Sequence, residues 1–264
     1  MSAKHEGKPW SRSELAIVCN FYFTLPFGRM HARNPDIIGL ANSLGRTPAS
    51  VAMKLVNFAS LDPAHRSRGV SGLRKTSRAD LEVWSRYSND LEALALESEA
   101  AIASLGPRTT RRVQMPLAAI DTAPLPKSTE TERLSNIRIR RMQSFFRRMI
   151  LASYECRCCV TGNPIREILV ASHILPWSAF PKHRLNPHNG LCLSSHFDKA
   201  FDAGLITFSE NLRLVIGSEI RASRTNAAVS REFISMDDTP LKVSERYPPN
   251  PEFVEYHRLK IFKG

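Results

Sequence analysis

The chain has 264 residues, of which 37 are Lys or Arg and 25 are Asp or Glu, so its formal net charge is +12. Its apolar fraction of 42% excludes a chain that is disordered throughout. No apolar run is long enough to span a bilayer, and the N-terminus MSAKHEGKPW lacks the apolar core of a signal peptide, so we expect a cytoplasmic protein without a membrane partner. The surplus of positive charge favours a polyanionic partner, either nucleic acid or an anionic surface.

The N-terminal part shows three helical patterns with start and stop signals. Ser11 and Glu14 have the spacing of a capping box, which predicts the start of a first helix. Asn34 and Gly45 bound a second helix, and a third begins at Thr47. Two short helices joined by a tight turn that contains glycine are typical of a helix-turn-helix, so we expect a DNA-recognition module here.

A polar stripe on the third helix has the spacing needed to read a DNA groove. Ser50, Lys54 and Asn57 share one face, while Val51 and Leu55 lie on the face that we expect to be buried. Side chains that form hydrogen bonds can contact base edges or phosphates, although a solvated surface helix would show the same stripe. We therefore predict DNA contacts from Lys54 and Asn57.

The middle of the chain separates two predicted domains. A capping-box start at Ser77 begins either one long helix or two in series that end at Gly106, used as a spacer, a dimer contact or core packing. Residues 106–132 contain several prolines among Ser and Thr and have no apolar period, which is typical of a linker. We therefore predict a helical DNA-recognition domain over 1–105 and a second domain over 133–264.

A strongly basic helix opens the second domain, from Asn136 to about Tyr154. It carries five arginines with no acid among them, and their charge and planar guanidinium groups suit phosphate. A solvated helix face is the alternative. We predict DNA contacts from three of these side chains, Arg138, Arg140 and Arg141.

Residues that can carry chemistry concentrate between His173 and Asp202. His173 follows a short β-like run, and Asp198 and Asp202 are four residues apart on a predicted helix, so their carboxylates share a face. Like charges at this spacing repel, and a divalent cation would convert that repulsion into attraction. A helix cap at Ser195 would explain Asp198 but not Asp202.

The string that runs from SHILPW through RLNPHNGLCLSSHFDKAFDAGLI resembles the signature of the HNH endonucleases. The resemblance covers about residues 133–217, includes CCVTG before the first strand, and is weaker in the closing PPNPEFVEYHRLKIF. It implies a ββα-metal finger. We therefore expect an α+β protein in which an all-α, helix-turn-helix-like domain is joined by a Pro-containing linker to a C-terminal HNH nuclease domain.

The resemblance also implies roles for individual residues. His173 matches the general base that takes a proton from the attacking water, and Asn189 matches the asparagine that braces the loop and orients the histidine. Asp198 and Asp202 match positions that hold a divalent cation, Mg²⁺ or Mn²⁺. Ser172 stands where many family members carry a further Asp or His ligand, so the metal shell would be either open or completed by water.

Two further groups of residues extend this assignment. By the resemblance Arg184 lies in the loop that clamps the scissile phosphate, with a solvated arginine as the alternative. His196 could bind phosphate or metal, or be an ordinary surface residue at a helix start. Cys156, Cys159 and Cys192 could hold a structural zinc ion, although buried thiols are the usual state of such cysteines.

The two predicted modules together imply a DNA endonuclease. WSRSELAIVCNFY and GRTPASVAMKLVNFASLDP resemble the module that accompanies HNH domains in bacterial defence nucleases, which implies a restriction-type enzyme with modified cytosine (5mC or 5hmC) as one candidate target. Because one HNH site nicks one strand, we expect a homodimer on double-stranded DNA. The alternatives are a DNA-binding regulator with a non-catalytic HNH scaffold, and a structure-selective or RNA-directed nuclease.

Overall fold

The computed structural model describes three stretches of the chain, residues 8–66, 76–105 and 130–264. The chain divides into two compact units, Met1–Ala152 and Ser153–Gly264. The predicted linker over 106–132 lies outside the described residues except at its last three positions. The division falls at the end of the basic helix, whereas the sequence analysis began the second domain at residue 133.

The described part of the first unit is built from helices. They are α1 (Arg12–Thr24), α2 (Pro35–Leu44), α3 (Pro48–Leu61), α4 (Pro63–Arg66), α5 (Arg78–Tyr87), α6 (Leu91–Ser104) and α7 (Glu130–Ser153). The start and stop signals are confirmed: Ser11 and Glu14 form a capping box, Asn34 and Thr47 cap α2 and α3, and Gly45 ends α2 with a φ of 65°. A left-handed residue at this point lets the chain leave one helix and enter the next within a few residues.

α1 is the central helix of the first unit. It packs against α3, α5 and α6, and its residues are buried from Leu15 to Thr24. The stretch that begins at Ser77 forms two helices in series, and the second of them, α6, lies against α1. α6 is therefore a core element of its own unit, which favours the core alternative over a spacer arm.

The polar stripe of α3 packs against α5, where Lys54 and Asn57, the residues predicted to contact DNA, both bind Asp80. Lys54 Nζ lies 2.8 Å from Asp80 Oδ1, and Asn57 Nδ2 donates to Asp80 Oδ2 at 2.8 Å. Asp80 is fully buried, and Asn57 is only 5% exposed. Because a buried carboxylate needs a cation and hydrogen bonds nearby, these side chains are used to join two helices.

Two arginines of the basic helix α7 form ion pairs within the first unit. Arg148 forms a buried ion pair with Glu99 of α6 and lies 3.4 Å from Asn20 Oδ1 of α1. Arg138 pairs with Glu92 at the surface. Arg140 and Arg141 are half-buried. From the sequence, all five arginines of this helix looked suited to phosphate. In the structure Arg148 instead anchors the helix to its own unit.

The second unit contains the strands. Its elements are β1 (Leu169–His173), β2 (Gly190–Ser194), α8 (Ser195–Asp202), β3 (Ile206–Phe208), β4 (Leu214–Ile216), α9 (Ser218–Ala222), α10 (Ala227–Glu232) and α11 (Pro251–Lys260). β1 and β2 are antiparallel, with His173 opposite Gly190, and α8 follows β2 at once. β3 and β4 form a second hairpin. The helices and small sheets together make the chain an α+β protein, with strand, strand and helix in the order that the finger requires.

His257 ties the last helix of the second unit to α8. Its Nε2 donates to the Phe201 carbonyl at 3.1 Å, its Nδ1 lies 2.9 Å from Thr207 Oγ1, and its ring stacks on the Phe201 ring at 3.7 Å. The imidazole is buried, with 1% of the residue exposed. Burial lowers the pKa of His257 to about 4, although the bond to the Phe201 carbonyl acts in the opposite direction.

This buried histidine predicts that the second unit loses stability in acid. Between pH 6.5 and about 4 the unfolded chain binds a proton at His257 that the folded chain does not, so the free energy of unfolding falls as the pH is lowered. At about 1.4 kcal/mol for each pH unit, the full loss is roughly 3 kcal/mol. We expect urea unfolding at pH 7, 6 and 5 to show about 2 kcal/mol of this loss and His257→Gln to flatten it. Equal pH dependence in the two proteins would contradict the assignment.

Candidate active site

His173 lies at the end of β1 and is half-buried. Its Nε2 lies 2.9 Å from the Arg184 carbonyl oxygen, and since a carbonyl can only accept, Nε2 carries the proton and Nδ1 carries the lone pair of the neutral ring. Burial lowers the pKa of His173, against the smaller raising effect of the bond to Arg184. The imidazole is therefore neutral near pH 7, with Nδ1 as its basic atom.

Asn189 braces the β1–β2 loop (residues 174–189) that follows His173. Its Oδ1 accepts from the Leu175 amide at 2.7 Å, and its Nδ2 donates to the His183 carbonyl at 3.1 Å. The Ile174 amide donates to the Asn189 carbonyl at 3.0 Å. Asn189 is 1% exposed, so water does not compete for these bonds. The Asn189 side-chain amide therefore joins the beginning of the loop, two residues after His173, to its end.

The two carboxylates of α8 influence each other. Burial raises the pKa of Asp198, and a hydrogen bond from Ser172 acts in the opposite direction. Partial burial and then the charge of Asp198 raise the pKa of Asp202, which lies at the surface. Ser172 Oγ is buried beside Asp198 without a hydrogen bond of ordinary geometry. The helix therefore presents a pair of mutually repelling acids next to this buried hydroxyl.

This donor set fits a hydrated divalent cation. Within residues 8–66, 76–105 and 130–264, no three His, Cys, Asp or Glu side chains are grouped to hold a metal ion. Mg²⁺ keeps several waters and is usually held by one or two carboxylates together with substrate phosphate, so Asp198 and Asp202 suffice for it. A cation there would remove the repulsion between these two acids.

The cysteines of the second unit are buried thiols in the described structure. The zinc alternative used Cys156, Cys159 and Cys192, which form no metal-binding group among the described residues. Burial, followed by Cys158 and Cys192, raises the pKa of Cys159 well above its ordinary value.

The structure links Arg184 to His173 and places His196 at the exposed start of α8. The Arg184 carbonyl holds the imidazole, while its Nε donates to the Trp177 carbonyl at 2.9 Å. His196 is exposed in the first turn of α8 and contacts the rings of Phe197 and Phe233. Lys54, Asn57 and the arginines of α7 belong to the first unit.

The sequence analysis missed several aromatic residues that support the loop. The Trp177 ring meets the His173 ring at 5.3 Å between centroids. From α11, Phe253 contacts the ring of His183 at 4.9 Å. Tyr256 contacts the ring of Phe180 at 5.1 Å. The tryptophan of SHILPW and the closing PPNPEFVEYHRLKIF were the available signals, but nothing in their spacing says which residues they contact.

Comparison with protein families gives one match to this region. The model of a family described as HNH endonuclease matches residues 158–209, a segment that includes β1, β2 and α8. The match supports the HNH family for this segment and a nuclease domain in the C-terminal part of the chain. A search of curated proteins found no match. In the part of the chain that the structure describes, no helix combines the length and apolarity needed to cross a bilayer.

Proposed function

We propose that the protein is a metal-dependent DNA endonuclease that hydrolyses phosphodiester bonds with His173 as general base. The observation that carries this proposal is the bond from His173 Nε2 to the Arg184 carbonyl. It fixes the tautomer in which Nδ1 can take a proton, and partial burial keeps that ring neutral. A histidine that served only to bind phosphate would instead benefit from a raised pKa.

The other residues of the site position the base, bind the phosphate and hold the cation. Asn189 holds the loop that keeps His173 in place, and Arg184 neutralises charge on the scissile phosphate. Asp198 and Asp202 would hold the cation, Mg²⁺ or Mn²⁺. When bound, this cation would stabilise the negative charge that develops on phosphate and leaving oxygens. His196, exposed in the first turn of the helix that carries these two acids, is available to a neighbouring phosphate.

The first unit would select the DNA on which the second acts. α2 and α3, joined by the turn at Gly45, support a helix-turn-helix-like module, and Arg138, Arg140 and Arg141 would bind phosphates. With Lys54 and Asn57 engaged by Asp80, recognition would use other surfaces of these helices. We propose a restriction enzyme that acts on double-stranded DNA as a homodimer, with modified cytosine as its candidate mark.

Plasmid cleavage tests this function against its alternatives. Unmodified, 5-methylated and 5-hydroxymethylated plasmids are each incubated with Mg²⁺, Mn²⁺ or EDTA. A further plasmid with an extruded cruciform is tested in the same way. Cleavage that needs the cation and one modification supports the restriction enzyme, whereas cleavage confined to the cruciform plasmid supports the structure-selective nuclease. Binding without cleavage under every condition would leave the regulator.

Asp202→Asn should abolish cation-dependent cleavage and leave the fold intact. The change removes one of the two charges that attract the cation, and it also relieves the repulsion from Asp198, so we expect the variant to be at least as stable as the parent. The measurements are plasmid nicking and Mn²⁺ titration by calorimetry. Glu219→Gln, an equal loss of charge at an exposed position of α9, is the control. Unchanged Mn²⁺ affinity in Asp202→Asn would contradict the metal assignment.

Replacing Arg140 and Arg141 with Ala should weaken DNA binding and flatten its salt dependence. Each phosphate contact contributes about 0.9 to the slope of log K against log salt, so the loss of two contacts lowers the slope by roughly 2. The measurement is fluorescence anisotropy over a series of salt concentrations. Replacing Arg78 and Arg86, which are ion-paired with Glu82 and Glu97, removes the same charge as a control. Equal slopes in both double variants would exclude the assigned contacts.

A further inference from the structure

Trp177, His173 and Arg184 form a closed set in which each residue contacts the other two. His173 Nε2 donates to the Arg184 carbonyl at 2.9 Å, and Arg184 Nε donates to the Trp177 carbonyl at 2.9 Å. The Trp177 ring meets the His173 ring edge to face, at 5.3 Å and 75°, and lies 5.0 Å from the Arg184 guanidinium carbon. The family comparison assigns no role to Trp177.

The backbone around Trp177 is anchored on both sides. The Leu175 amide is bound to Asn189 Oδ1, and the amides of Ala179 and Phe180 both donate to the Pro176 carbonyl at 3.2 Å. This turn leaves Trp177 half-buried beside the end of β1. The indole is therefore a fixed surface against which the imidazole is placed.

The hydrogen bond at Nε2 does not by itself fix the orientation of an imidazole ring. The bond at Nε2 sets the distance to the Arg184 carbonyl, but a ring without lateral support can leave that bond part of the time, which displaces Nδ1 and releases the tautomer that the carbonyl selects. A second contact on the ring removes this freedom, and an edge-to-face aromatic contact has a preferred angle. A displacement of about 1 Å at a reacting atom can lower a rate roughly 100-fold.

We propose that Trp177 is a positioning residue that orients His173 and, through the same ring, the Arg184 guanidinium. This inference rests on the proposed function, since it concerns the atom that takes the proton. One indole sets the position of both the base and the phosphate-binding cation, so loss of the ring affects kcat through His173 and KM through Arg184.

The test compares Trp177→Phe, Trp177→Leu and Trp177→Ala, with Ser178→Ala at the exposed neighbouring position as control. Phe keeps an aromatic ring, whereas Leu keeps apolar volume without one. We expect kcat to fall about 100-fold in the Ala and Leu variants and to recover to within a few-fold in the Phe variant. If Trp177 only filled space, Leu would restore kcat as well as Phe does, and that result would contradict the positioning role.

A second readout does not need activity. Long-range ¹H–¹⁵N spectra report the tautomer of each imidazole, and the His173 signal is identified by its loss in His173→Ala. We expect one Nε2–H tautomer in the parent and the Phe variant, and an added Nδ1–H population in the Leu and Ala variants. If the parent cuts no DNA and these spectra behave as expected, the proposed function fails and the positioning role stands. An unchanged His173 signal in the Leu and Ala variants overturns the inference.

Discussion

His173→Ala should abolish plasmid cleavage while DNA affinity stays nearly unchanged. General base catalysis contributes about 10²–10⁴-fold to a rate, and the substitution removes the base without removing a phosphate contact. The rate is measured by nicking under saturating Mg²⁺, and the affinity by anisotropy with Ca²⁺ in place of Mg²⁺. An equal loss of cleavage and binding would contradict the role, because it would place His173 among the DNA contacts.

His173→Gln separates proton transfer from positioning. Its amide can still donate to the Arg184 carbonyl, which keeps the loop in contact with the end of β1, but it cannot accept a proton from water near pH 7. We expect it to be as inactive as His173→Ala. His31→Ala, at an exposed position of the first unit, serves as the matched control. Substantial activity in the Gln variant would show that His173 acts through its hydrogen bond alone.

Arg148→Ala should destabilise the first unit by about 3–5 kcal/mol. The side chains of Arg148 and Glu99 are 5% and 3% exposed, so removal of the arginine leaves a buried carboxylate without its cation. Urea unfolding gives the free energy. The matched control is Arg138→Ala on the same helix, α7. It breaks a surface ion pair with Glu92 of α6 and should cost less than about 1 kcal/mol.

The double variant Arg148→Met with Glu99→Leu completes this experiment. Replacing both members of a buried ion pair with apolar residues of similar size is often neutral, because no charge is left unpaired. We therefore expect the double variant to be more stable than Arg148→Ala. A double variant that is less stable than the single one would show that the surrounding hydrogen bonds, such as that between Asn20 and Ser98, depend on the pair.

Local signals were sufficient for the helix starts and for the shared face of the acids on α8. Caps at Ser11, Asn34 and Thr47 concern residues within a few positions, so sequence spacing states the whole interaction. The acids of α8 were likewise predictable, because Asp198 and Asp202 share a helix turn wherever the helix lies. The finger itself was predicted from the family resemblance, because the loop over 174–189 separates β1 from β2 and only α8 follows β2 at once.

Long-range polar pairs could not be predicted from periodicity. Lys54 and Asn57 have the spacing of a surface stripe, yet Asp80 of another helix binds them. Arg148 looked like its neighbours on α7 until the structure placed Glu99 beside it. A helical period separates polar from apolar faces, but it cannot say whether a polar face meets water, DNA or a buried acid.

Because Asn189 holds the two ends of the β1–β2 loop together, the geometry of the site does not depend on the length of the loop between them. The amide joins Leu175 near the start to His183 near the end, and Arg184, which holds the imidazole, follows immediately. Exposed Pro181 and Lys182 lie outside this closure and outside the turn that anchors Trp177. Insertions at that tip should be tolerated, so evolution or an engineer could exchange the tip to alter which substrates are cut without rebuilding the chemistry.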